Sequence, residues 1–109
     1  MAALVGHAQR TPAPEVRRID WGAEARANLS AVRAYIGQFK PLAAQKLAAR
    51  LVAVAESLAD FPERGRRVSE NIRELTIIRP YIIRYRIEDD RVLILRIRHG
   101  ARRPDSPSP

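Results

Sequence analysis

The stretch YIIRYRIEDDRVLILRIR, residues 81–98, decides the fold. Tyr81, Ile83, Tyr85 and Ile87 alternate with Ile82, Arg84 and Arg86. Beyond Glu88-Asp89-Asp90, Leu93, Leu95 and Ile97 alternate with Ile94, Arg96 and Arg98. A period of two marks a strand with one face on a core, so the stretch predicts an antiparallel hairpin with an acidic tip. Its odd-numbered apolar residues are expected to face that core. Both strands can do this only if paired residue numbers sum to an even value, and a plain two-residue loop at Asp89-Asp90 makes the sum odd. Because a one-residue slip inverts every side chain, a three-residue connection or a β-bulge is expected. Arg84, Arg86, Arg96 and Arg98 then share the face turned away from the core, with Arg84 near Arg96. Like charges about 5 Å apart in water repel by roughly 1 kcal/mol per pair. Glu74 on a neighbouring strand offsets part of this, and an acidic ligand would turn the repulsion into attraction.

Upstream, Leu75 and Ile77 alternate with Glu74 and Thr76, which adds a third strand to the meander. Eight of the ten isoleucines lie between Ile72 and Ile97, whereas Ala23 to Ala59 is rich in Ala and Leu. β-branched residues favour the pleated sheet, and Ala and Leu favour helix. Leu29, Val32, Ile36 and Phe39 form one helical stripe; Ala44, Leu47, Leu51, Val54 and Leu58 form another. Gly22 serves as the first N-cap, with Glu24 in the first turn. Gly37 and Pro41 frame a short link, and Pro41 suits the first turn of the second helix. So short a link predicts antiparallel helices. Glu15 to Trp21 reads as a further strand added at a sheet edge. The expected fold is α+β, in the order β-α-α-β-β-β, with a helical hairpin on one face of a small curved, mainly antiparallel sheet. This domain is expected over residues 15–103, with a flexible arm over 1–14 and a disordered tail, PDSPSP, over 104–109.

The chain has 109 residues, enough for one two-layer core, and no cysteine. That excludes a disulfide framework, a thiolate metal site and a cysteine nucleophile. No apolar run approaches the roughly 20 residues of a membrane helix, and MAALVGHAQR has no charged leader, so a cytoplasmic protein is expected. Lys and Arg number 20 against 12 Asp and Glu, a net charge of +8. Such a field favours nucleic acid, an anionic surface or an acidic protein as partner. Only His7 and His99 are present, which leaves no paired-histidine metal site, and the five glycines form neither a P-loop nor a dinucleotide fingerprint. No cofactor or metal is expected. The acids at 88–90 read as solvated tip residues, and Tyr81, Tyr85 and Trp21 as packing residues.

The strand entering the first helix, the FPERGR turn, IREL, and YIIRYRIEDDRVLILRIRHGARRP together resemble the ParE branch of the RelE/ParE toxins of type II toxin–antitoxin modules, over about residues 16–103. The resemblance implies the same fold. It also implies a growth-inhibiting toxin silenced by a cognate antitoxin: a ParD-like ribbon-helix-helix protein with an acidic C-terminal segment. Operator DNA is then contacted indirectly, through the antitoxin. The ParE branch implies DNA gyrase as target and no enzymatic activity of the toxin itself. The RelE branch implies ribosome-dependent mRNA cleavage without a metal, which here would fall to Arg102 and His99. The position after Tyr81, where RelE-like proteins carry an arginine, is Ile82, and no Tyr or His follows Arg103. A non-toxic basic nucleic-acid-binding domain is the third reading. The expected partner-binding set is Arg84, Arg86, Arg96, Arg98, Arg102 and Arg103. The antitoxin helix is expected on apolar surface beside the Ala-rich helices, with its acids on the arginine face.

Overall fold

The computed structural model describes residues 16–100. The expected arm over 1–14 and tail over 104–109 lie outside them, as do Arg102 and Arg103. The elements are β1 (Arg18–Trp21), α1 (Ala23–Gly37), α2 (Pro41–Glu56), 3-10 turns at Ser57–Ala59 and Pro62–Arg64, β2 (Arg66–Arg67), β3 (Ile72–Leu75), β4 (Tyr81–Ile87) and β5 (Arg91–His99). The sheet order is β1-β5-β4-β3-β2. β1 pairs parallel with β5, and every other pairing is antiparallel. This is the expected α+β fold, with one added strand: two-residue β2 extends the edge next to β3, too short to show a period of its own.

The helices begin where their caps predict. Gly22 precedes α1 in an extended conformation, and Pro41 is the first residue of α2, where its missing N–H costs nothing. Ala25 of α1 and Leu51 and Ala55 of α2 are buried with Leu58, Ile83, Tyr85, Val92, Ile94 and Ile97 of the following turn and the sheet. Small alanines at the contact let the helices lie close to the strands. Phe39 departs from expectation. It follows the end of α1 and is 67% exposed, with Tyr35 and Leu42 similarly open beside it. Ile77 also departs, because β3 ends at Leu75. Ile77 is exposed and Ile78 is buried in its place.

The hairpin contains the expected bulge, but inside β5 instead of at the tip. Near the loop, Ile87 pairs with Val92, Arg86 with Leu93 and Tyr85 with Ile94. Past a register shift, Arg84 pairs with Arg96 and Ile83 with Ile97. The extra residue is Leu95. The two-residue tip at Asp89-Asp90 therefore survives, and β5 changes parity partway along. Val92 and Ile94, both 0% exposed, occupy the core in place of the expected Leu93 and Leu95, which are half-buried; Ile97 returns to the core beyond the bulge. A bulge accommodates one unpaired residue at the cost of a local kink.

A second device ties the FPERGR turn to the sheet. Tyr85 is fully buried, yet its hydroxyl donates to the Pro62 carbonyl at 2.6 Å and accepts from the Gly65 N–H at 2.9 Å. Burial raises the pKa of this phenol, so it stays protonated and able to donate.

Candidate partner-binding face

Strand pairing arranges the arginines into a row. Arg66 lies opposite Glu74, Glu74 opposite Arg84, and Arg84 opposite Arg96, so one line across four strands reads Arg66–Glu74–Arg84–Arg96. Paired residues project to the same side of a sheet. The next pair down β4 and β5 places Ile83 and Ile97 in the core, so this row occupies the opposite face. Arg98 opposite Ile82 and Arg86 opposite Leu93 share it. The four sequence-predicted sheet arginines are thus together on the face opposite the core.

Glu74 gives the face its character. It is 6% exposed although it lies outside the apolar core, and three arginines converge on it. Arg84 grips its Oε2 with Nε at 2.9 Å and Nη2 at 2.8 Å. Arg98 Nη2 reaches the same oxygen at 3.5 Å, and Arg66 Nη2 approaches Oε1 at 3.4 Å. Three guanidinium groups share one carboxylate, leaving two positive charges in excess at this point of the sheet. Arg98 holds Glu74 by one end only: its Nε is buried and has no hydrogen-bond partner. The sequence indicates Glu74 as a partial neutraliser. Its convergence with Arg66 is hidden there, because Arg66 belongs to the unforeseen β2.

A second network closes the other end of the sheet. Arg91 bridges Glu88 Oε1 at 2.6 Å and Asp20 Oδ2 at 2.9 Å; Arg18 and Arg86 complete it on Asp20 and Glu88, each at 3.0 Å. Hydrogen bonds from Arg91, then Arg18, hold the Asp20 carboxyl below its ordinary 3.8. Arg91, then Arg86, does the same to Glu88 below its ordinary 4.5. Because both folded-state values are depressed, the network contributes fully above those ordinary values and is lost as pH falls through the lower, folded ones. Thermal melts from about pH 6 down to about pH 3 should therefore show a stability loss in acid. The Asp20→Asn/Glu88→Gln pair should flatten that acid limb, whereas an unchanged limb would mean other carboxylates dominate.

An open cleft of about 630 Å³ runs between α1 and the end of β5. Asn28, Val32 and Tyr35 form its helical wall, and Arg96, Arg98 and His99 its sheet wall. Asn28 Oδ1 accepts the Ile97 N–H at 2.9 Å, beyond the point where β1 stops pairing with β5. Sequence reading misses Asn28, since a polar residue on a helix carries no signal of the strand it meets. The cleft joins the arginine face to the exposed helical tip: Tyr35 lines it and also stands edge-on to Phe39, with ring centroids 5.7 Å apart. The surface is cationic at one end and aromatic at the other.

His99 borders the same cleft as Arg96 and Arg98 but belongs to the other face of the strand. It pairs with Tyr81, whose ring it meets edge-on at 5.4 Å, and strand alternation turns it to the opposite side from Arg98. Among the described residues no group of three or more His, Asp or Glu is arranged to hold a metal ion, and no helix is long and apolar enough to cross a membrane.

Residues 19–104 match the family model described as the ParE toxin of the type II toxin–antitoxin system parDE. The chain is 53% identical over 85 residues to a Caulobacter vibrioides protein named Toxin RelE2, covering 78% of this chain and 97% of that one. It is 34% identical over 91 residues to Toxin RelE3 of the same organism, covering 81% and 99%. A solved structure titled as the chromosomal ParDE system from P. aeruginosa superposes with a TM-score of 0.69, covering 79% of this chain and 98% of that one; at 23% identity the likeness speaks to the fold. The chain belongs to the ParE/RelE family of type II toxin–antitoxin toxins.

Proposed function

We propose that this toxin acts without catalysing a reaction, by binding DNA gyrase so that cleaved DNA persists, and that a ParD-like antitoxin silences it. One observation carries the choice of target: the carboxylate within the arginine row is capped by three guanidinium groups, and His99, though it lines the cleft with Arg96 and Arg98, is packed edge-on against Tyr81. Cutting RNA through its 2′-hydroxyl needs a base and an acid at the same phosphate that the positive charge stabilises. His99 faces the other side of the sheet from Arg98. Glu74, the carboxylate within the row, is buried under three guanidinium groups where a hydroxyl cannot reach it. Arginine itself stays protonated and moves no proton. The match to the ParE toxin family supports the same target. The RelE names of the Caulobacter relatives favour the second reading, a ribosome-dependent nuclease.

For the antitoxin, the cleft and the exposed helical tip form one track. An amphipathic segment could set apolar side chains on Val32, Tyr35 and Phe39 and direct acids toward Arg96 and Arg98. Purified gyrase with supercoiled plasmid tests the target. Linear DNA, released after detergent and protease treatment, should accumulate with toxin and disappear when the antitoxin is added. No cleaved DNA, together with cut messenger RNA in a translation extract, would replace this reading with the nuclease.

A further inference from the structure

We infer that Glu74 is the specificity-determining residue of the arginine face: it keeps nucleic acid off a surface meant for protein partners. The inference rests on reading this toxin as a protein binder. A chain carrying +8 is exposed to a large excess of nucleic acid in any cell, and nonspecific attraction to the phosphate backbone is almost wholly electrostatic. The sheet arginines would be suited to that attraction, since a planar guanidinium takes phosphate oxygens bidentately. Here part of that donor set is already committed. Arg84 spends Nε and Nη2 on Glu74 Oε2, and Arg98 and Arg66 lean on the same carboxylate. A phosphate approaching the row must compete with a fixed carboxylate that is 6% exposed and pinned from three sides, and its own charge is repelled by that group.

The penalty is selective. Backbone binding draws its strength from charge, so weakening the charge term removes most of it. A protein partner adds apolar contact along Val32, Tyr35 and Phe39 and retains affinity. Glu74 also offsets the mutual repulsion of the arginines around it. It makes no contribution to the apolar core, yet among the described residues it is the one charged side chain that is buried.

The test compares the full chain with Glu74→Gln, which keeps the shape and one acceptor oxygen but removes the charge. Binding to fluorescein-labelled single-stranded RNA and to duplex DNA of arbitrary sequence is followed by anisotropy across a potassium chloride series, with folding of both proteins checked by circular dichroism. Glu74→Gln should bind about tenfold more tightly at moderate salt, with a log–log salt slope steeper by about one to two, as Arg84 and Arg98 are freed for about two further phosphates. Equal affinity and slope in a folded variant would overturn the inference. Should the variant not fold, the wild-type slope decides. A value shallower than about −3 means the row is held back, and a steeper one means its arginines already bind phosphate. A gyrase assay that fails while RNA binding still responds to Glu74→Gln removes the target alone and leaves this inference standing.

Discussion

Gly65→Ala is expected to destabilise the toxin by about 3 kcal/mol, lowering the melting temperature by some 10–20 °C. The backbone at Gly65 has ordinary extended angles, so the demand for glycine comes from crowding. A methyl there would stand 2.7 Å from the Tyr85 hydroxyl and 2.8 Å from the Glu74 carbonyl oxygen. Neither neighbour can retreat. The Tyr85 ring is fully buried, and the Glu74 carbonyl belongs to β3. Relief therefore comes only by pulling the Pro62–Gly65 turn off the sheet, which breaks the two hydrogen bonds on the Tyr85 hydroxyl. Losing buried pairs of that kind costs about 1–3 kcal/mol in addition to overpacking. Tyr85→Phe alone should cost about 1–2 kcal/mol. In the double variant the added methyl occupies space the hydroxyl has left, so the sum of the single losses should exceed the double loss by at least about 1 kcal/mol. Strictly additive losses in urea titrations would show that the methyl and the hydroxyl do not meet.

The second large effect separates two adjacent residues. Ile94→Ala should cost about 3–4 kcal/mol, because its side chain is 0% exposed within the core and the cavity left behind is hemmed by Tyr85 and the helices. Leu95→Ala should cost about 1 kcal/mol, since Leu95 is half-buried at the bulge and its loss leaves an opening on the surface, not a void. The plain alternation of the sequence orders these costs the other way. Equilibrium unfolding of the two variants checks the register directly, and a larger loss at Leu95 would mean β5 is not bulged where Arg84 and Arg96 meet.

That reversal marks where sequence reading ends. The Ala and Leu stripes, Gly22 and Pro41 locate both helices, and the arginine alternation of β4 assigns Arg84 and Arg86 to the outer face. β5 cannot be read the same way. RVLILRIR holds four consecutive apolar residues, Val92 to Leu95, so either parity buries isoleucine or leucine, and only the partner strand decides where the extra residue goes. Parity errors cancel beyond a bulge, which is why alternation places Arg96 and Arg98 correctly while misplacing Leu93 and Leu95. The candidate face is legible to the same degree. Its arginines carry a local pattern, but the burial of Glu74 depends on strands that meet across eight to twenty-four residues of chain, and the two-residue β2 leaves no trace in periodicity. Phe39 misleads for a different reason: its spacing continues the stripe after the helix has stopped.

The pairing of β1 with β5 has a consequence for how the toxin comes into being. Arg18–Trp21 finds its strand partner in Arg91–Ile94, and Asp20 its tightest cation in Arg91, 71 positions downstream. During synthesis both helices are made before that neighbour exists, so the sheet stays open until β5 has been added. A half-made chain has both helices but no finished arginine row. The sheet is thus completed late, after both helices have been made.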